Sequence, residues 1–256
     1  MTSTPSSHAT SQYAATTANL TARISLHQNH STNPQDWFAW LGQRLPLDGA
    51  ICEVGAGTGL LWHRVGHTGR DLTLVDFSAA MCDTLRALPG ARVHQADACH
   101  LPFPDASFDS LIANHMLYHV DDPAAAVREF ARVLRPDGRI AVALNGRDHL
   151  RELDEIGPAI GRPDVGLSAG QNDVFAETGP GYLSACFTDV TTERFPGSLD
   201  IPDAEPVLAY LDSMADEPLT PPQREAARTL VQARIDAEGG FRVRKHTVLI
   251  TARRGG

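Results

Sequence analysis

Ile51-Cys52-Glu53-Val54-Gly55-Ala56-Gly57-Thr58-Gly59 follows Ala50 and runs into Leu60-Leu61-Trp62. The apolar residues from Ala50 to Val54 predict a buried strand, the alternating glycines a tight loop, and Leu60-Leu61-Trp62 the opening of a helix. Strand, glycine-rich turn and helix together form a cradle in which a ligand can touch backbone directly, because glycine permits positive φ and has no Cβ. The spacing is G-x-G-x-G, whereas dinucleotide sites use G-x-G-x-x-G. Glu53 stands immediately before the loop, where it would repel a diphosphate and attract a cationic amino group.

Downstream the pattern repeats. Leu72 to Val75 reads as a second buried strand ending in Asp76, 17 residues beyond Gly59. An acid at that place can accept both hydroxyls of a ribose. Ser78 suits the N-cap of the next helix, which includes Met81. Residues 91–96 predict a third strand with Asp97 and Ala98 at its end. Ser110 to Asn114 predicts a fourth, followed directly by His115-Met116-Leu117-Tyr118-His119. Asp122-Pro123 caps a helix with the stripe Val127, Phe130, Ala131, Leu134, and after the turn Pro136-Asp137-Gly138 a fifth strand covers Ile140 to Leu144.

Residues 53–59, 101–109 and 134–139 resemble class I S-adenosylmethionine (SAM) methyltransferases of type 11, a family acting on small molecules. The resemblance is good over residues 49–145 and looser elsewhere. It implies a Rossmann-like, doubly wound α/β fold: a seven-stranded, mostly parallel sheet with helices on both faces and a small helical cap. It also implies SAM as methyl donor and S-adenosylhomocysteine as product. Glu53, Gly55, Ala56, Gly57, Gly59 and Asn114 would line the cofactor, with Asp76 on the ribose, Phe77 and Met81 beside adenine, and Asp97 and Ala98 at the adenine edge. The stretch after the fourth strand should border cofactor and substrate. His115, with His119 second, is the candidate base, because imidazole titrates near neutral pH. For His115 a role in lining the cofactor stands beside catalysis; for His119 a hydrogen bond within its own segment does. Tyr118 is a further candidate for substrate contact.

Outside that core the sequence is less regular. Residues 1–18 are rich in Ser and Thr, and two readings stand: a flexible tail, or a flap that brings Tyr13 onto the ligand. Residues 19–256 form the expected methyltransferase domain. Its N-terminal helices are expected within residues 19–46, with Asn33-Pro34 as a helix cap and Trp37, Trp40 and Leu41 as a helical stripe, whose two tryptophans read as core packing or as a ligand box. Cap segments are expected at residues 146–185 and 203–238, with a helix over 174–186 interrupted by Gly179-Pro180-Gly181, a strand at 189–195 and helical stripes Ala204-Val207-Leu208-Leu211 and Ala227-Leu230-Val231-Ile235. Simple outer packing helices remain the alternative. Residues 241–252 read as one last strand.

Net charge is −9 with scattered basic residues, which argues against a nucleic-acid surface. No apolar run reaches membrane-span length and no secretion signal opens the chain. Four cysteines, Cys52, Cys82, Cys99 and Cys186, lack metal spacing. The expectation is a cytoplasmic, metal-free monomer or homodimer that methylates a small, partly apolar molecule of specialised metabolism, without nucleic-acid or membrane partners. Two alternatives bind SAM differently: one uses the sulfonium for chemistry such as cyclisation, the other is a non-enzymatic SAM-binding partner protein.

Overall fold

The computed structural model describes residues 17–166, 172–215 and 217–255. Tyr13 and nearly all of the 1–18 tail lie outside these residues. They divide into two compact units: one of Trp37–Arg147, Asn172–Phe195 and Thr247 to the C-terminus, the other of the described residues up to Asp36, within Asp148–Gln171 and within Pro196–His246.

The first unit is built on a seven-stranded sheet. Its strands are β1 (Ala50–Val54), β2 (Asp71–Asp76), β3 (Arg92–Gln95), β4 (Phe108–Asn114), β5 (Leu134–Asn145), β6 (Phe187–Phe195) and β9 (Thr247–Arg254), in the order β3-β2-β1-β4-β5-β9-β6. The pairs β1–β2, β2–β3, β1–β4 and β4–β5 are parallel; β9 runs antiparallel to β5 and β6. Successive side chains of a strand point to opposite faces, and both faces here are apolar. Cys52, Val54, Leu111, Ala113, Ile140 and Val142 enter one core with the helix Pro123–Val133; Ile51, Ile112, Ala141 and Ala143 enter another with Trp40, Leu61 and Trp62. This explains why β1, β4 and β5 read as unbroken apolar runs. The order reverses between β1 and β4, so the segments leaving their carboxyl ends diverge and leave a crevice there.

The helices of this unit are α2 (Trp37–Gly42), α3 (Leu60–Val65), α4 (Ala79–Leu85), α5 (Pro123–Val133) and α8 (Gly179–Ser184). Ser78 caps α4 through Met81 N–H, and Asp122 caps α5 through Ala125 N–H at 2.8 Å, as their sequence predicts. The two later family-like stretches meet in space: Arg135 pairs with Asp109 at 2.6 Å, and Asp109 also accepts the N–H of Ala50 at the start of β1. The expected helix over residues 174–186 is shorter than its apolar pattern. Gly179-Pro180 opens α8, because proline lacks an N–H and suits a first turn.

The second unit has its own core. It contains α1 (Thr17–His30), α6 (Arg151–Asp154), α7 (Ile156–Ala159), α9 (Glu205–Met214), α10 (Pro221–Glu238) and a two-stranded antiparallel sheet of β7 (Ser198–Ile201) and β8 (Phe241–Arg244). Leu26, Leu153, Leu199, Val207, Leu208, Leu211, Val231 and Val243 pack together. Asn33 is not a helix cap: its side chain accepts Gln35 N–H and donates to the Pro196 carbonyl, bracing a turn. Nor do residues 241–252 form one strand. The His246 N–H donates to His149 Nδ1 at 3.0 Å, so it is withdrawn from any ladder and β8 ends before β9 begins. Among the described residues no helix is long and apolar enough to cross a membrane.

The stripe expected on α10 is narrower than its sequence. Ala227 and Val231 are buried but Leu230 is 42% exposed. Val231→Ala should therefore cost about 1–3 kcal/mol of unfolding free energy by loss of buried methyls, and Leu230→Gln less than about 0.5 kcal/mol. Urea denaturation of the two variants checks this; equal losses would place Leu230 in the core.

Candidate functional site

The site is built where β1 and β4 end. Gly55, Gly57 and Gly59 all have positive φ, at 72°, 56° and 74°, but for different reasons. A Cβ on Gly55 would lie 2.5 Å from Met116 Cβ, and one on Gly59 would lie 2.6 Å from Leu88. Those glycines are required by the protein's own packing. Among the described residues a Cβ on Gly57 would meet nothing within 4 Å, so they leave the loop backbone clear at that residue.

Asp76 secures this arrangement. Its Oδ2 accepts the Gly57 N–H at 2.8 Å and its Oδ1 the Ser78 N–H at 2.9 Å. Burial pushes its carboxyl above the ordinary range, and the backbone donors oppose that shift. A carboxylate oxygen can accept more than one hydrogen bond. Gly55 and Ala56 donate to the Val75 carbonyl, which ties the loop to β2 along its length.

Glu53 has a different setting from the one its sequence position suggests. It is 2% exposed, and its Oε2 accepts the indole N–H of buried Trp62 at 2.5 Å. Burial pushes its carboxyl up to about 8, helped by the charge on Asp76, while the Trp62 bond works against this. In the free protein at neutral pH, Glu53 thus carries a proton and joins β1 to α3.

The other cofactor candidates lie on the same edge of the sheet. Phe77 is 58% exposed, unusual for a phenyl ring, while its carbonyl is held by Gln95. Met81 is half-buried and Ala98 buried. Asp97 braces the turn after β3 by accepting the Cys99 N–H at 2.9 Å. At the end of β4, Asn114 Oδ1 is buried and has no hydrogen-bond partner, a costly state for a polar atom.

His115 follows with φ of 55°, a strained conformation for a residue with a side chain, held by its N–H bond to Ala143. Leu117–His119 form a single 3-10 turn. The His115 ring lies 5.5 Å from Trp37 and 6.4 Å from Tyr118, and Tyr118 meets His119 edge-on at 4.5 Å. The structure therefore joins His115, Tyr118 and His119 to Trp37, for which core packing and a ligand box both stand from the sequence. Trp37 does stack on Trp40 at 5.3 Å, but it also reaches His115. Its only sequence signal was its place one turn before Trp40.

A methyltransferase-domain family matches residues 52–142. An uncharacterized methyltransferase of Mycobacterium tuberculosis is 40% identical over 129 residues, which are 50% of this chain and 51% of that protein. An O-methyltransferase of Aspergillus sclerotiorum is 39% identical over 101 residues, 36% of this chain and 38% of that one. The chain thus spans about half or less of the length of these curated relatives. The solved structure of the YcgJ protein of Bacillus subtilis is alike with a TM-score of 0.55 at 19% identity, over 86% of this chain and 98% of that chain. At such identity the likeness is one of fold.

Two outcomes follow from this geometry. Gly57→Ala should cost about 1–2 kcal/mol of stability, the strain of a left-handed alanine, while cofactor affinity falls much further. Gly55→Ala should cost more stability because of Met116. Calorimetric titration and urea melts separate the two; normal cofactor binding by Gly57→Ala would remove the open backbone from the site. The second concerns pH. Folding raises Glu53 from 4.5 to about 8, so the folded state holds a proton that the unfolded chain releases between those values. The associated stability is full below 4.5 and is lost as pH rises through 8. Glu53→Gln should flatten the profile of melting temperature against pH in that window; parallel profiles would show that Glu53 is ionised when folded.

Proposed function

We propose that the chain, whose residues 52–142 match a methyltransferase-domain family, transfers the methyl group of SAM to a small, partly apolar molecule of specialised metabolism. One observation carries the reading: of the loop glycines, Gly57 alone is clear of the described residues where a Cβ would stand, and its N–H is held by the carboxylate that ends β2. A ligand with a ribose and a close approach to backbone fits there. A naked N–H cradle for diphosphate fits less well, because Asp76 brings negative charge to it.

When bound, SAM supplies an activated methyl group on a sulfonium and leaves as S-adenosylhomocysteine. The chain's own residues hold and orient. Asp76 accepts the ribose hydroxyls with its remaining lone pairs, and Phe77 and Met81 flank adenine, whose edge meets Asp97 and Ala98. Asn114 Oδ1, a buried acceptor in need of a donor, receives the amino group. Glu53 works from behind the loop by fixing α3 through Trp62. His115 takes the proton from an acceptor hydroxyl or amine, with Tyr118 beside it and His119 as the alternative base. The strained backbone at His115 is consistent with such a role. The net charge of −9 and the naming of a relative as an O-methyltransferase favour a small molecule over nucleic acid.

Asp76→Ala should weaken SAM binding by about 1–3 kcal/mol, the scale of hydrogen bonds to a charged group. Calorimetry showing unchanged affinity in a folded variant would take Asp76 off the ribose. For His115 the better variant is His115→Asn, since asparagine tolerates the left-handed backbone. With an acceptor recovered from the purified protein and identified by mass spectrometry, single-turnover methyl transfer should fall about 10²–10⁴-fold while SAM affinity holds. Identical pH–rate profiles in the two proteins would rule out a base at His115.

A further inference from the structure

We propose that the methyl acceptor carries a planar aromatic ring and that Trp37 is the residue that selects for it. This rests on the reading that the turn after β4 borders the acceptor. The observation is a row of fixed rings on that edge: Trp37, His115, Tyr118 and His119, with successive centroids 5.5, 6.4 and 4.5 Å apart. Trp37 is locked from behind. Trp40 stacks on it at 5.3 Å with planes 17° apart, and Phe195 meets it edge-on at 5.1 Å; both partners are buried, at 3% and 1% exposure. Trp37 itself is only half-buried. A large ring held rigid by buried neighbours and left partly open is a preorganised contact surface, whose ordering cost is met in folding rather than binding.

The angles matter as well. The His115 ring is tilted 46° to Trp37 and 52° to Tyr118. Neither of these two contacts is a parallel stack. Aliphatic walls would accept any apolar chain; ring faces and edges add a directional preference for another ring, through their quadrupoles. A planar hydroxylated or aminated ring suits the row well: the ring lies against Trp37 and the proton to be removed reaches His115.

The test uses the full chain saturated with S-adenosylhomocysteine and a pair of probes of equal size: methyl 4-hydroxybenzoate, which is planar, and methyl 4-hydroxycyclohexanecarboxylate, which is not. Binding is followed by calorimetry and saturation-transfer NMR. The wild type should bind the planar probe about tenfold or more tightly than the saturated one, the scale of an aromatic pair plus its buried area. Trp37→Leu should lose most of that preference and Trp37→Phe should keep most of it, with SAM affinity unchanged in both as the control for folding. Equal binding of the two probes by the wild type, binding of neither, or a preference untouched in Trp37→Leu would each overturn the proposal. If Trp37→Leu does not fold, Trp37→Phe against wild type decides through the same planar-to-saturated ratio: a preference lost or reversed in Trp37→Phe overturns the proposal. A separate arm supplies radiolabelled SAM with the planar probe. Trp37-dependent binding without methyl transfer would uphold the aromatic site and count against the methyltransferase reading, so the two can fail apart.

Discussion

A single hydrogen bond, from Gly57 N–H to the Asp76 carboxylate, sets the conditions for everything at this edge of the sheet. It joins the loop after β1 to the last residue of β2, and it can form only because the two strands run parallel and in register, Val54 beside Val75. With that bond in place the loop backbone turns through three positive φ values and presents Gly57 outward. The neighbouring glycines serve the fold and the middle one serves the ligand. One sequence motif therefore contains two kinds of constraint, and they are distinguished by what stands where a Cβ would be.

The buried charges follow the same economy. Two carboxyl groups, Glu53 and Asp76, stand close to one loop, and low dielectric prevents both from ionising cheaply. Their partners differ. Asp76 has backbone donors that favour its anion; Glu53 has one neutral indole donor and deeper burial, so it retains its proton. The result is one carboxyl group held by backbone donors at the loop and one buried carboxyl behind it. Separation of role by environment is a familiar device where two similar acids share a site.

The aromatic row on the other bank of the crevice has a structural and a functional side. Trp40 and Phe195 are core residues, and they give Trp37 an orientation that it could not hold alone. His115 depends on the chain after β4 staying strained, which the bond to Ala143 and the packing of Met116 against Gly55 enforce. Loop and turn are thus coupled: a change at Gly55 moves Met116, and with it the segment that carries His115, Tyr118 and His119.

The sequence by itself determined the parts whose physics is local. The five parallel strands, the caps at Ser78 and Asp122, the glycine loop and the acid ending β2 are all legible, because apolar runs, turn residues and capping side chains act within a few positions. What only the tertiary structure decided rests on partners far along the chain. The alternation over residues 241–252 is the same in one long strand as in two short ones; His149, 97 residues away, takes the His246 N–H and ends the first. Glu53 reads as a charge until Trp62 and the surrounding strands remove water from it. Trp37 reads as core packing or as a ligand box by helical spacing, and that spacing cannot tell which ring edge remains open; Phe195, on the last strand of the sheet order, does. Burial and long-range contact set the charge of an acid and the orientation of a ring, and neither is written in the residues beside them.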